Sequence, residues 1–141
     1  MWCRGILVVI LVMGSFLWMT STPLEAKTAL HVPWHTLLQR YVREGLVDYR
    51  GLQAASTLLI EYLAALKAVE LGTLKRREDQ LALWINAYNA CVVKGVLDHY
   101  PIRSVKDVKG FFDRLPCEAA GFSLTLNEIE AKGRALGDWR I

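Results

Sequence analysis

Reactive side chains are scarce in this chain. Its 141 residues hold three cysteines and three histidines. Nowhere do these form a His-Glu-x-x-His pattern or a third-ligand cluster, so no metal site is expected. His31 and His35 are four apart, but Pro33 between them suits the first position of a helix, which would start the helix after His31. There is no Gly-rich phosphate loop and no Gly-x-Ser-x-Gly elbow, and nothing calls for a cofactor. Excess charge is lacking too: 17 basic and 14 acidic residues leave a net +3. The one basic cluster, Lys75-Arg76-Arg77, runs straight into Glu78-Asp79 and reads as a solvated loop. A nucleic-acid stripe is therefore excluded. Internal repeats and low-complexity tracts are absent.

The longest apolar run is at the N-terminus. Arg4 gives a short basic region, Gly5 to Met19 is almost wholly apolar, and Thr20-Ser21-Thr22-Pro23 leads polar residues to Glu25-Ala26. This is the three-part layout of a secretory signal peptide, expected to be residues 1–26 with cleavage after Ala26. The run is short for a span, which takes about 20 residues, so no stable membrane span is expected after cleavage. An uncleaved signal anchor is the alternative. The leader carries one base and one acid, Arg4 and Glu25, so the remainder keeps its +3 charge. The expected location is periplasmic or secreted.

Beyond the leader, residues 34, 37, 38, 41 and 42 give a one-faced helix stopped by Gly45. Val47-Asp48-Tyr49 reads as a short extended piece. Leu58, Leu59, Tyr62, Leu63, Leu66 and Val69 make a second amphipathic helix, capped by Ser56 or Thr57 and ended by Gly72. A third helix is expected over about residues 79–100, stopped by Pro101. It is apolar nearly all round, the mark of a buried central helix, and spans on the order of 30 Å. A short helix or turn around Val105 to Leu115 follows, then a loop with Pro116 and Cys117. Residues 121–126 alternate as a strand. Asn127 and Glu130 form a capping-box-like pair opening a last helix. The fold class is therefore α+β and helix-rich, the central helix packed by two amphipathic helices and a short C-terminal strand.

Several elements resemble one known family. Val47-Asp48-Tyr49, Leu83-Trp84-Ile85-Asn86-Ala87-Tyr88-Asn89-Ala90, Leu97-Asp98-His99-Tyr100-Pro101 and Leu126-Asn127-Glu128-Ile129-Glu130 resemble, in order, its VDY, FWINAYNA, LDHYP and LDDIE elements. The family is the domain of unknown function 547 family. Leu83 stands where phenylalanine is common and Trp139 where proline is usual. The resemblance implies that relatives continue past a segment like Asp138 to Ile141 into a strand-like block bearing a histidine and cysteines. Residues 27–141 are then an incomplete domain, expected to be marginally stable and to expose apolar surface.

Asn86 and Asn89 are the sharpest candidate site residues. Three apart in apolar surroundings, they are read as buried amides that either tie the helix to neighbouring backbone or hold a ligand. Trp84 and Tyr88 are core anchors or a binding platform beside them. His99, at the helix end, suits the C-terminal dipole. Cys91 and His99 cannot form a thiol dyad directly, being separated by about 12 Å of rise and roughly 80° of rotation. Cys91 is either a small buried apolar residue or a partner for Cys117, with which it could form a disulfide in an oxidising compartment. Two functions remain in view. One is a non-catalytic envelope domain that binds an envelope protein or a small molecule. The other is part of a thiol-dependent hydrolase-like or transferase-like enzyme whose His/Cys block lies beyond residue 141.

Overall fold

The computed structural model describes residues 23–137, so most of the expected leader lies outside the described residues. Among the described residues, five α-helices, two short 3-10 turns and two small antiparallel hairpins form an α+β, helix-rich fold. Helix α1 (Pro23–Tyr41) leads into β1 (Val42–Arg43) and β2 (Leu46–Val47), then α2 (Tyr49–Ala54) and α3 (Thr57–Lys67). The central helix α4 (Arg77–Asp98) follows, then β3 (Cys117–Ala119), β4 (Phe122–Leu124) and α5 (Leu126–Arg134). No described helix is long and apolar enough to cross a membrane.

Helix α4 is central because its apolar residues point in every direction. Leu81, Leu83, Trp84, Ala87, Ala90, Cys91, Val93 and Val96 are all buried. Helices α1, α2, α3 and α5 each pack against it. From α1 come Trp34, Leu37 and Tyr41, from α3 Leu59, Tyr62 and Leu66, and from α5 Leu126 and Ile129. Each set repeats at three or four, the spacing that gathers one face of a helix.

Both hairpins turn on two residues with positive φ, Glu44-Gly45 and Ala120-Gly121. A two-residue turn of this hand matches the natural twist of the strands, and glycine adopts it without steric cost. Ala120 takes φ +51° despite its Cβ, and its surroundings explain why. Its N–H donates to the Leu66 carbonyl, and that of Gly121 to the Lys67 carbonyl, each at 2.8 Å. The hairpin tip thus satisfies carbonyls at the end of α3 that have no partner within the helix. That contact seats β3 between α3 and α4.

Gly95 permits another close approach. A Cβ at this position would lie 3.0 Å from both Cε2 and Cζ of Phe111, whose ring is buried. Gly95→Ala gains about 1 kcal/mol of helix propensity, but displacing a packed ring costs roughly 1–3 kcal/mol. The expected result is a net loss of about 1 kcal/mol in urea unfolding. In a Phe111→Leu background the same change should stabilise; destabilisation in both backgrounds would contradict the ring contact as its cause.

Several local expectations are corrected. Helix α1 starts ten residues before Pro33 and runs through it. Proline signalled a helix start, but packing of Leu30 and Trp34 on either side carries the helix across it. His31 and His35 therefore do share a helix. Asp48 is the N-cap of α2, its carboxylate accepting from the Gly51 N–H at 3.0 Å, so Tyr49 is helical rather than extended. The last helix is capped by Thr125, not Asn127, in a reciprocal box with Glu128. Helix α3 ends at Lys67, before Gly72, and Cys117 lies in a strand rather than a loop.

Candidate functional site

The motif residues on α4 separate on the surface of the helix. Trp84 is 3 % exposed and is a core side chain. Asn86 is half-buried and Asn89 is exposed, so the expectation of a buried amide pair is corrected. The other elements pack against the remaining sides of α4. Asn89 lies on the side of Ala82, Ile85 and Val92, which are only partly covered. Among the described residues no buried side-chain nitrogen or oxygen lacks a partner. Tyr88 is half-buried, and its hydroxyl pKa is raised by burial and then by the nearby Glu130 charge.

His99 caps the C-terminus of α4 and its Nδ1 lies 2.8 Å from the Gly95 carbonyl oxygen. A carbonyl only accepts, so Nδ1 carries the proton. The ring thus ties down a carbonyl of the last turn. His31, at the far side of the core, pairs its Nδ1 with the Tyr62 hydroxyl at 2.7 Å. His35 is exposed on the next turn. Among the described residues no group of three or more His, Cys, Asp or Glu side chains could hold a metal ion.

Burial lowers the His31 pKa from its ordinary 6.5. As pH falls past that value the unfolded chain takes up a proton before the folded one does. The stabilising effect of keeping this ring neutral is full above the unfolded pKa and is lost as pH falls through the folded pKa. Urea unfolding at about pH 7.5 and about pH 5.5 should show lower stability at the acid value, and His31→Asn should flatten the dependence. An unchanged slope in the variant would remove His31 as its source.

The residues that do converge surround the two cysteines. Cys91 on α4 and Cys117 on β3 form a disulfide, with Cα atoms 6.0 Å apart. This separation lies within the range such bridges span. Their approach follows from the seating of the hairpin tip on the end of α3. The Lys67–Glu118 ion pair, 2.9 Å, holds the same strand to α3. Beside the bridge opens a cavity of about 570 Å³, with walls from Leu63, Gly95, Phe111, Leu115 and Leu126. Lys67, Lys94, Asp98 and Glu118 also line it. Lys94 and Asp98 pair at 2.6 Å. Of the two sulfur-bearing residues, Cys91 is 5 % exposed and Cys117 is half-buried.

Sequence reasoning named the cysteines but not the cavity. The one available signal was Cys91, Lys94, Gly95 and Asp98 at spacings of three and four, which puts them on one face of α4. The Phe111 and Leu115 walls come from an irregular segment, and no periodicity points to them.

No curated protein and no solved structure matches the chain. Residues 71–133, from the turn before α4 into the last turn of α5, match the model of a family described as "Protein of unknown function, DUF547".

Proposed function

We propose that this chain is an exported cell-envelope domain that works as a binding module, not as a self-sufficient enzyme. The observation that carries the reading is the Cys91–Cys117 disulfide. Disulfides form and persist in oxidising compartments and are rare where glutathione and thioredoxin keep thiols reduced. The leader-like residues 1–26 support the same route. In the disulfide neither cysteine is available as a nucleophilic thiolate, which a thiol-dependent hydrolase or transferase requires. That alternative would draw its histidine and cysteine from beyond residue 141.

The test is expression of the full chain with its own N-terminus in a bacterial host, followed by fractionation. The expected product is an envelope species whose intact mass begins at Lys27, with Cys91 and Cys117 alkylated only after reduction. A chain found in the cytosolic fraction with its first 26 residues intact and both thiols free would overturn the proposal.

A further inference from the structure

We propose that the Cys91–Cys117 bridge is a covalent docking site for a small thiol, which enters the adjoining cavity and is held as a mixed disulfide on Cys117. The inference deepens the binding-module reading and rests on its oxidised state. A purely structural bridge needs no open space beside it, yet this one lines a cavity of about 570 Å³. The two ends of the bridge are also unequal. Both residues line the cavity, but Cys91 is only 5 % exposed, whereas Cys117, on a strand of only three residues, is half-buried. Cys117 is thus the more exposed end of the bridge, and the one an entering thiolate meets first.

The exchange is balanced without a further oxidant. The entering thiol gives its proton to solvent, and its thiolate attacks Cys117 Sγ. A new S–S bond forms there as the bond to Cys91 breaks, and the electron pair leaves on Cys91 Sγ as a thiolate. One disulfide replaces another. Lys94, paired with Asp98 at 2.6 Å, lies one helical turn beyond Cys91 and lines the same cavity. Its ammonium is a cationic group on this wall, placed to stabilise the negative charge that leaves on Cys91 Sγ. The two backbone hydrogen bonds of the hairpin tip to α3 and the buried Ala119 keep β3 in place after the bridge opens, so the adduct forms on a folded domain.

The probe is glutathione, added to the oxidised full chain carrying Cys3→Ala. A thiol titration beforehand establishes that the bridge is closed. Free thiols at that point would count against the exported, oxidised reading, separately from the docking site. Peptide mapping by mass spectrometry should then find glutathione on Cys117 and not on Cys91. The rate in the folded protein should fall within about tenfold of that in urea, as expected for an accessible sulfur. Lys94→Met should slow the reaction about five- to tenfold, and Lys94→Arg should restore it. Circular dichroism of each variant would establish that it remains folded. An adduct that appears only after unfolding, or one that forms on Cys91, would overturn the proposal. An unchanged rate in Lys94→Met would overturn the role of the lysine.

Discussion

Tyr62→Ala should cost about 3–5 kcal/mol, the range for deleting a buried aromatic, and leave the chain much nearer the limit of folding. Tyr62 is wholly buried on α3. Its ring stacks on Trp34 of α1, with centroids 5.5 Å apart and planes within 9°. It also meets the His31 ring edge-on at 6.0 Å and bonds its Nδ1. The pairing of α1 with α3 therefore centres on one side chain. Truncation would open a void between the helices and strand the His31 nitrogen. Globular domains have a net stability of about 5–15 kcal/mol, so this loss takes a large share of what such a domain holds. Tyr62→Phe separates the two contributions. It keeps the stack and loses the hydroxyl, and should cost about 1–2 kcal/mol. Urea midpoints with an unchanged slope would measure both. A cost for Tyr62→Ala no larger than that for Tyr62→Phe would mean that α1 is not held by the ring.

The repeats at three and four made the helical core legible: Leu37 and Tyr41, Leu59 and Tyr62 with Leu66, and the all-round apolar α4 fall where their spacing puts them. The resemblance, too, rests on contiguous residues of α4 that match the family model. Long-range geometry left weaker marks. Pro33 signals a helix start by its chemistry, and only packing of the flanking residues shows that the helix continues through it. Asn86 and Asn89 have an apolar neighbourhood in sequence, yet burial depends on what packs over each face, and no element covers Asn89 fully. Cys117-Glu118-Ala119 is too short to alternate visibly, so the sequence alone reads Cys117 as part of a loop with Pro116. The α3 end that receives the Ala120-Gly121 turn lies far back in the sequence. The cavity inherits that difficulty, since it exists only once the hairpin is seated.

Removing the bridge should destabilise the domain without dissolving it. Cys91 and Cys117 are 26 residues apart, and closing a loop of that length lowers unfolded-chain entropy by an amount worth about 3.5 kcal/mol at room temperature. The full-chain variant Cys91→Ala/Cys117→Ala should therefore melt about 10–15 °C below the disulfide-linked protein. Its transition should stay cooperative, because β3 and its turn retain the Lys67–Glu118 pair and both turn hydrogen bonds to α3. The location of the loss tells the two largest effects apart. Hydrogen exchange of the Ala120 and Gly121 amides should quicken in the bridge variant, since opening of the hairpin no longer strains a covalent link. In Tyr62→Ala the first amides to lose protection should be those of α1. Wild-type stability in the bridge variant would mean that the unfolded chain already holds α4 and the hairpin close together. Loss of the cooperative melt would mean that the noncovalent contacts with α3 cannot seat the hairpin without the disulfide.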